Sequence, residues 1–331
     1  MVRALKEWGA DISAKSNDGR TELHYAAGKG HSEVITVLKE WGADISIRSN
    51  DGGTPLHSAA WNGQIEVVRV LKEWGVDISA KANDGGTPLH SAAWNDHIEV
   101  ITVLKEWGAD ISARGDDGAT PLHSAAWNAQ IEVVKVLKEW SVDISAKAND
   151  GGTPLHSSAW TDQIKVIRAL KQWGTDISVD DNNGETPMHY TATTGQIEVI
   201  RVLQEWGADI SARNYNGRTP MHSTAQTGQI EMIRALKVWN TDISNRDNRG
   251  RTPMHYAATS GQIEVIRVLQ ELGADISATD KDGRTALHHE VASCQILALN
   301  ELITLGGNIW VCDRYSQMAL DLADDEFFEV L

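Results

Sequence analysis

Apolar positions along this chain fall into two short blocks that alternate. After Thr54, Leu56, Ala59 and Ala60 lie at helical spacing; after Gly63, Ile65, Val68 and Leu71 follow at three-residue steps. Each block predicts a short helix with one apolar stripe. Thr54 is placed to cap the first helix, and Pro55 sits in its first turn, where no amide hydrogen is needed. The small Ala59 and Ala60 let a neighbour pack closely, and Gly75 stops the second helix as a left-handed cap. A polar stretch, "NDGG" from Asn50, precedes each pair and carries residues that tolerate positive φ in tight turns.

The two-block pattern is periodic. The tip glycine recurs at Gly19, Gly52, Gly85, Gly118, Gly151, Gly184, Gly217, Gly250 and Gly283, always 33 residues apart. One such repeat cannot bury its own apolar faces, so its stability must come from neighbours stacked on either side. The period, together with recurring "TPLH", "GQIEVV" and "GADIS", resembles the ankyrin-repeat family over essentially the full chain. The resemblance implies an all-α solenoid of about nine to ten repeats with short β-hairpin tips. As a single array, residues 1–15 would be a partial repeat, 16–312 nine full repeats and 313–331 a C-terminal cap. Stacking at about 10 Å per repeat predicts a rod of about 90–100 Å.

The ends depart from the pattern. Met1 to Ile12 match only a second helix, so either the chain is cut there or further repeats, or another domain, precede it in a longer protein. In "ALDLADDEFFEVL", Asp321 replaces the motif histidine, and a short acidic helix with Phe327 and Phe328 is expected to cap the stack. Inside the array, Asp96, Ala129, Asp162 and Cys294 replace the inter-helix glycine, and Ser141 and Asn240 replace the second-helix cap. A non-glycine residue at positive φ costs on the order of 1 kcal/mol, less for Asn or Asp. The repeat holding both Ala129 and Ser141 is therefore the expected soft point.

Composition narrows the function. The formal net charge is -16, from 46 acidic and 30 basic residues, which argues against nucleic-acid and anionic-membrane partners and favours a protein with basic edges. No apolar run is long enough to span a bilayer, and "MVRALKEWGADIS" is not a signal peptide. Two cysteines, Cys294 and Cys312, make neither a disulfide framework nor a zinc spacing. A monomeric chain in the cytoplasm is the resulting expectation.

Five residue columns could carry chemistry. Nine histidines (His24, His57, His90, His123, His156, His189, His222, His255 and His288) stand one per repeat, roughly 10 Å apart, whereas zinc–nitrogen bonds are about 2 Å. They cannot share an ion, and the family resemblance implies that each bonds its motif threonine and nearby backbone. The Asp44, Asp77, Asp110 and Asp143 column and the Glu66, Glu99 and Glu132 column recur in every environment, as turns and helix termini demand. No nucleophile elbow, P-loop, H-E-x-x-H or dinucleotide fingerprint occurs, so neither enzyme chemistry nor a cofactor is expected.

Tryptophan supplies the remaining columns. Trp8, Trp41, Trp74, Trp107, Trp140, Trp173, Trp206 and Trp239 end the second helices, next to lysines such as Lys72 where the family often has leucine. They read as frame, each covering apolar surface that the lysine gave up. Trp310 stands alone near the C-terminal cap. Trp61, Trp94, Trp127 and Trp160 instead end consecutive first helices, and there the residue three before is Ser58, Ser91, Ser124 or Ser157. The residue after the tip glycine is then Gly53, Gly86, Ala119 or Gly152. In later repeats the tryptophan becomes Thr193, Gln226 or Thr259, with Tyr190, Ser223 and Tyr256 and with Glu185, Arg218 and Arg251 as companions.

Two explanations of this exchange stay open. Tryptophan from one column and tyrosine from the other could fill the same groove. Alternatively, the first half presents a tryptophan-lined cleft and the second a Tyr/Arg surface, these being the residue types that dominate hot spots. The resemblance implies binding on the concave face by Trp61, Trp94, Trp127 and Trp160, the following Asn62, Asn95 and Asn128, and tip residues such as Asn50 and Asp51. Tyr190, Tyr256, Arg218 and Arg251 would serve in the later repeats. That describes a non-catalytic protein-binding scaffold. Carbohydrate or small-ligand stacking on the tryptophan ladder, and a spacer or targeting arm of a larger protein, are the alternatives.

Overall fold

The computed structural model describes residues 11–293 and 296–323. Trp8, Cys294, Phe327 and Phe328, and with them the expected N-terminal helix and acidic cap helix, lie outside the described residues. Among the described residues eighteen α-helices follow in series, as nine antiparallel pairs. They begin with α1 (Glu22–Gly28) and α2 (Ser32–Glu40), α3 (Pro55–Trp61) and α4 (Ile65–Glu73), α5 (Pro88–Trp94) and α6 (Ile98–Glu106), and α7 (Pro121–Trp127) and α8 (Ile131–Glu139). Then come α9 (Pro154–Trp160) and α10 (Ile164–Gln172), α11 (Pro187–Thr194) and α12 (Ile197–Glu205), and α13 (Pro220–Thr227) and α14 (Ile230–Val238). The last pairs are α15 (Pro253–Thr259) with α16 (Ile263–Glu271), and α17 (Ala286–Val291) with α18 (Ile296–Thr304), before a 3-10 turn at Ala319–Leu322. The chain groups into two compact units, one of Met1–Ser158 with Lys165–Thr175 and one of Ala159–Ile164 with Asp176–Leu331.

Within each unit the first helices pack on one another, α1 on α3 on α5 on α7 in one and α11 on α13 on α15 on α17 in the other. The alanines make this close stacking feasible: Ala59, Ala60, Ala92, Ala93, Ala125 and Ala126 are wholly buried. The second helices bury a slightly different set from the expected stripe. Val67, Val68 and Leu71 are inaccessible, while Ile65, at the helix start, is only half-covered. The reason is that α4 is packed by its own α3 and by second helices on both sides, so a wider arc than one three-step stripe is covered. Each buried leucine or valine of this kind contributes roughly 1.5–3 kcal/mol.

The motif histidine ties repeats together. In α3 the Thr54 amide donates to His57 Nδ1 at 3.1 Å, and the Thr54 hydroxyl lies 2.9 Å from the same nitrogen. Because Nδ1 accepts, the ring proton sits on Nε2, which donates to the Gly86 carbonyl of the next repeat at 3.2 Å. The arrangement recurs from His24 to His288, bearing out the role implied by the family resemblance. Asp321 performs the first half of the task at the end of the array, its carboxylate accepting the Met318 amide at 2.7 Å. The Asp44 column is likewise turn chemistry, since Asp44 Oδ1 accepts the amide of Ser46 at 2.9 Å.

The tips are turns rather than strands. Ser49 N donates to Gly53 O at 2.9 Å across one tip, and neighbouring tips share a single backbone bond, Asn50 N to Asp18 O at 3.0 Å. So few cross-bonds form no ladder, and the one β-bridge among the described residues joins Cys312 and Met318. The expected left-handed positions are also present. Asp96, Ala129, Ser141, Asp162 and Asn240 all have φ between 62° and 64°.

Candidate functional site

In the first compact unit the tips and first helices enclose an open groove of about 930 Å³. Its floor is made of small residues, Gly53, Gly86 and Ala119 from the tips and Ser58, Ser91 and Ser124 from the helices. Trp61 and Trp94 form one wall, their rings 6.3 Å apart and inclined by 22° in a stack. Asp51, Asp84 and Asp117 face them from the tips. Trp61 is 47% exposed, Trp94 37% and Trp127 39%, so each indole keeps an accessible face. Trp61 is the most open of the three; the preceding repeat has Gly28 at the tryptophan position.

The aspartates are held by local bonds that leave them facing the groove. Asp84 Oδ1 accepts the Gly86 amide at 2.9 Å, and Asp117 Oδ1 accepts the Ala119 amide at 2.9 Å. Asp51 accepts the Gly53 amide at 3.0 Å and the Ser49 hydroxyl, and the latter bond holds its carboxyl below the usual carboxylate range. One end of the groove carries its own cation: Arg20 lies 3.4 Å from Asp18 and 3.8 Å from Asp51, beside Tyr25.

In the second compact unit the corresponding space is filled. Tyr256 is only 6% exposed, with Arg218 and Arg251 each 4.6 Å from its ring centre. Its hydroxyl donates to Asp247 at 2.8 Å, and Arg251 Nε reaches the same carboxylate at 2.9 Å. Burial, then the bond to Asp247, pushes the tyrosine up to about 12. Burial alone would raise Asp247, but the bonds from Tyr256 and Arg251 outweigh it and hold the carboxyl low. Tyr190 is half-buried, bonded to Asp181 at 3.1 Å and edge-on to Trp160 at 5.7 Å; Trp160 is 38% exposed. Trp61, Trp94 and Trp127 thus stand open in the first unit, while the second combines the partly exposed Trp160 with a buried Tyr256.

Several expected contact residues have structural duties. Tyr256 is buried, which corrects the expectation of an exposed tyrosine there; Arg218 and Arg251 are half-buried around it. Asn50 is exposed, but its side-chain amide donates to Asn17 O at 3.0 Å and links two tips. Asn62, Asn95 and Asn128 each donate to a carbonyl of their own helix, Ser58, Ser91 and Ser124 respectively, as C-terminal caps. Asp51 remains exposed in the groove.

Sequence reasoning missed the tyrosine partners Asp181 and Asp247, and Asp280, whose carboxylate lies 2.8 Å from His289 Nε2. Their column reads Ser49, Ala82, Gly115 and Ala148 wherever the groove tryptophan is present, and that switch was the available signal. It also missed the pairing on the second helices. Lys39 and Lys105 sit 4.1 Å and 4.0 Å above the rings of Trp74 and Trp140 in the following repeats, so lysine and tryptophan cover each other.

Burial lowers His24, His57, His90, His123 and His189, and holds His222 and His255 at about 4, so these rings are neutral at pH 7. Among the described residues, no cluster of His, Cys, Asp or Glu gathers as a metal site would. No described helix is long and apolar enough to cross a membrane.

A family model described as ankyrin repeats, in three copies, matches residues 1–82, 51–115, 79–148, 112–181, 142–214, 211–280 and 240–313. The chain belongs to the ankyrin-repeat family, whose members are generally protein–protein interaction modules and typically not enzymes. No curated protein matches it.

Proposed function

We propose that this chain is a non-catalytic protein-binding scaffold whose partner seats in the groove of the first compact unit. The observation that carries the reading is the open 930 Å³ space walled by exposed Trp61 and Trp94, where the second unit places a buried Tyr256. Rigid indoles beside a small-residue floor provide area that a partner can cover at little entropic cost. Trp160 and Tyr190 make a separate contact patch in the second unit. With a net charge of -16, the partner has basic edges, and the scaffold works as a monomer inside the cell. The carbohydrate reading has weaker support, because Trp61 and Trp94 lean together at 6.3 Å, each with only part of its ring open, instead of standing a full repeat apart as a ladder.

The test compares the chain with a Trp61→Ser, Trp94→Ser, Trp127→Ser variant, both confirmed as helical, as baits in a cell extract. A protein retained by the first and lost by the second, then shown to bind directly when purified, supports the reading. Equal retention by both refutes it and moves the binding face elsewhere.

A further inference from the structure

The floor position of each tip, the residue after the tip glycine, is occupied by arginine at Arg20, Arg218, Arg251 and Arg284. Each of these has a resident partner. Arg251 pairs with Asp247 at 2.8 Å and lies over Tyr256, and Arg284 pairs with Asp313 at 3.0 Å. Arg218 lies over the same Tyr256 ring, and Arg20 pairs with Asp18 and Asp51. Guanidinium, carboxylate and aromatic ring meet in full at Arg251, while Arg20 and Arg284 share its carboxylate half and Arg218 its ring half. In the groove the carboxylates and the rings are present, but the floor residues are Gly53, Gly86 and Ala119. Among the described residues, neither Asp84 nor Asp117 has an ion pair.

We propose that the groove takes an extended peptide carrying arginine at every third residue, each guanidinium occupying one cell between a tip aspartate and a groove tryptophan. This rests on the groove being the binding face. Stacked helices stand about 8–10 Å apart, while an extended or polyproline-type chain advances about 3.1–3.4 Å per residue. Three residues therefore span one repeat, and successive arginines meet Asp84 and Asp117 in register, beyond the Asp51 that Arg20 already pairs. The small floor accommodates the arginine stem, and the planar head both pairs with a carboxylate and stacks on an indole. Lysine, a compact and strongly hydrated charge, satisfies only the first of these.

The scaffold itself suggests the sharpest variant. A side chain at Gly86 would first meet the flexible end of the Asp84 carboxylate, at 2.9 Å, and later repeats carry arginine at this position. Gly86→Arg therefore fills the middle cell from within while the helices persist. Asp84→Asn removes the charge yet can still accept the Gly86 amide through its side-chain oxygen.

The assay is fluorescence anisotropy on the full chain with a labelled (Arg-Pro-Pro) peptide of about twelve residues, alongside isomers of equal composition with arginines clustered or at every second position. The in-register peptide is expected to bind about tenfold more tightly than either isomer or a lysine version, and about tenfold less tightly to Gly86→Arg and Asp84→Asn. Equal affinity for all isomers would mean unspecific attraction to an acidic surface and would overturn the proposal. So would unchanged binding to Gly86→Arg. If no peptide binds while tryptophan-dependent capture of a protein persists, the arginine register is refuted and the groove reading stands.

Discussion

Lowering the pH should loosen this protein well before its carboxylates protonate, through the buried histidines. His222 and His255 accept a threonine amide at Nδ1 and donate from Nε2 to a carbonyl, so a proton added at Nδ1 turns that acceptor into a donor and breaks the amide bond of the cap, leaving only the threonine hydroxyl to accept. Burial holds both at about 4, against an ordinary value of 6.5. Between those values the unfolded chain binds a proton that the native chain refuses. The stability these groups contribute is thus present above 6.5 and lost as pH falls toward 4. At pH 5 the loss is about 2 kcal/mol for each of the two, from the proton-binding difference. His24, His57, His90, His123 and His189 are shifted the same way, also chiefly by burial, and add to it. Glu290 acts in the opposite sense. Its carboxyl is fully buried, burial raises it to about 8, and it gains stability as pH falls below that. The comparison is therefore best made on a Glu290→Gln background. Urea midpoints followed by circular dichroism at pH 7.5 and 5, with His222 and His255 titrated by NMR, provide the readout. Imidazoles titrating near 6.5, or a urea midpoint unchanged between the two pH values, would refute the burial argument.

Other consequences are equally direct. Ala129 and Ser141 are exposed at φ 62° and 63°, so Ala129→Gly and Ser141→Gly should each stabilise by about 1 kcal/mol, read as higher melting temperatures. Asp96→Gly, at the same φ, should yield less, because aspartate tolerates that conformation. Among the described residues, the Glu290 carboxylate oxygens have no hydrogen-bond partner. Wild-type stability should fall as pH rises through about 8, and Glu290→Gln should flatten that limb of a urea titration. Lys105→Gln removes the cation above Trp140 and should cost about 0.5–1 kcal/mol, measured by denaturation and abolished in a Trp140→Leu background.

The histidine column illustrates what a sequence can settle. Each His sits three residues after its threonine, on one helix turn, so the cap follows from local spacing, and the repeat period supplies the next carbonyl. Helix order, caps, left-handed turns and the need for stacking were legible for the same reason: each depends on residues close in the chain or on one period. The groove was only half legible. The tryptophan and serine columns were visible, but whether Trp61 and Tyr256 are open or covered depends on what fills the space beside them. Asp247 and Arg251 close that space in one unit, while Gly53, Gly86 and Ala119 leave it empty in the other. Asn50, Asn62, Asn95 and Asn128 likewise look like surface contacts in sequence and become caps and tip links once their carbonyl neighbours are in place. The sequence by itself determined the repeat, its helices and its stacking, because those arise from local bonding and periodic burial. Tertiary structure decided which aromatic rings remain available, because that depends on volume shared between neighbouring repeats.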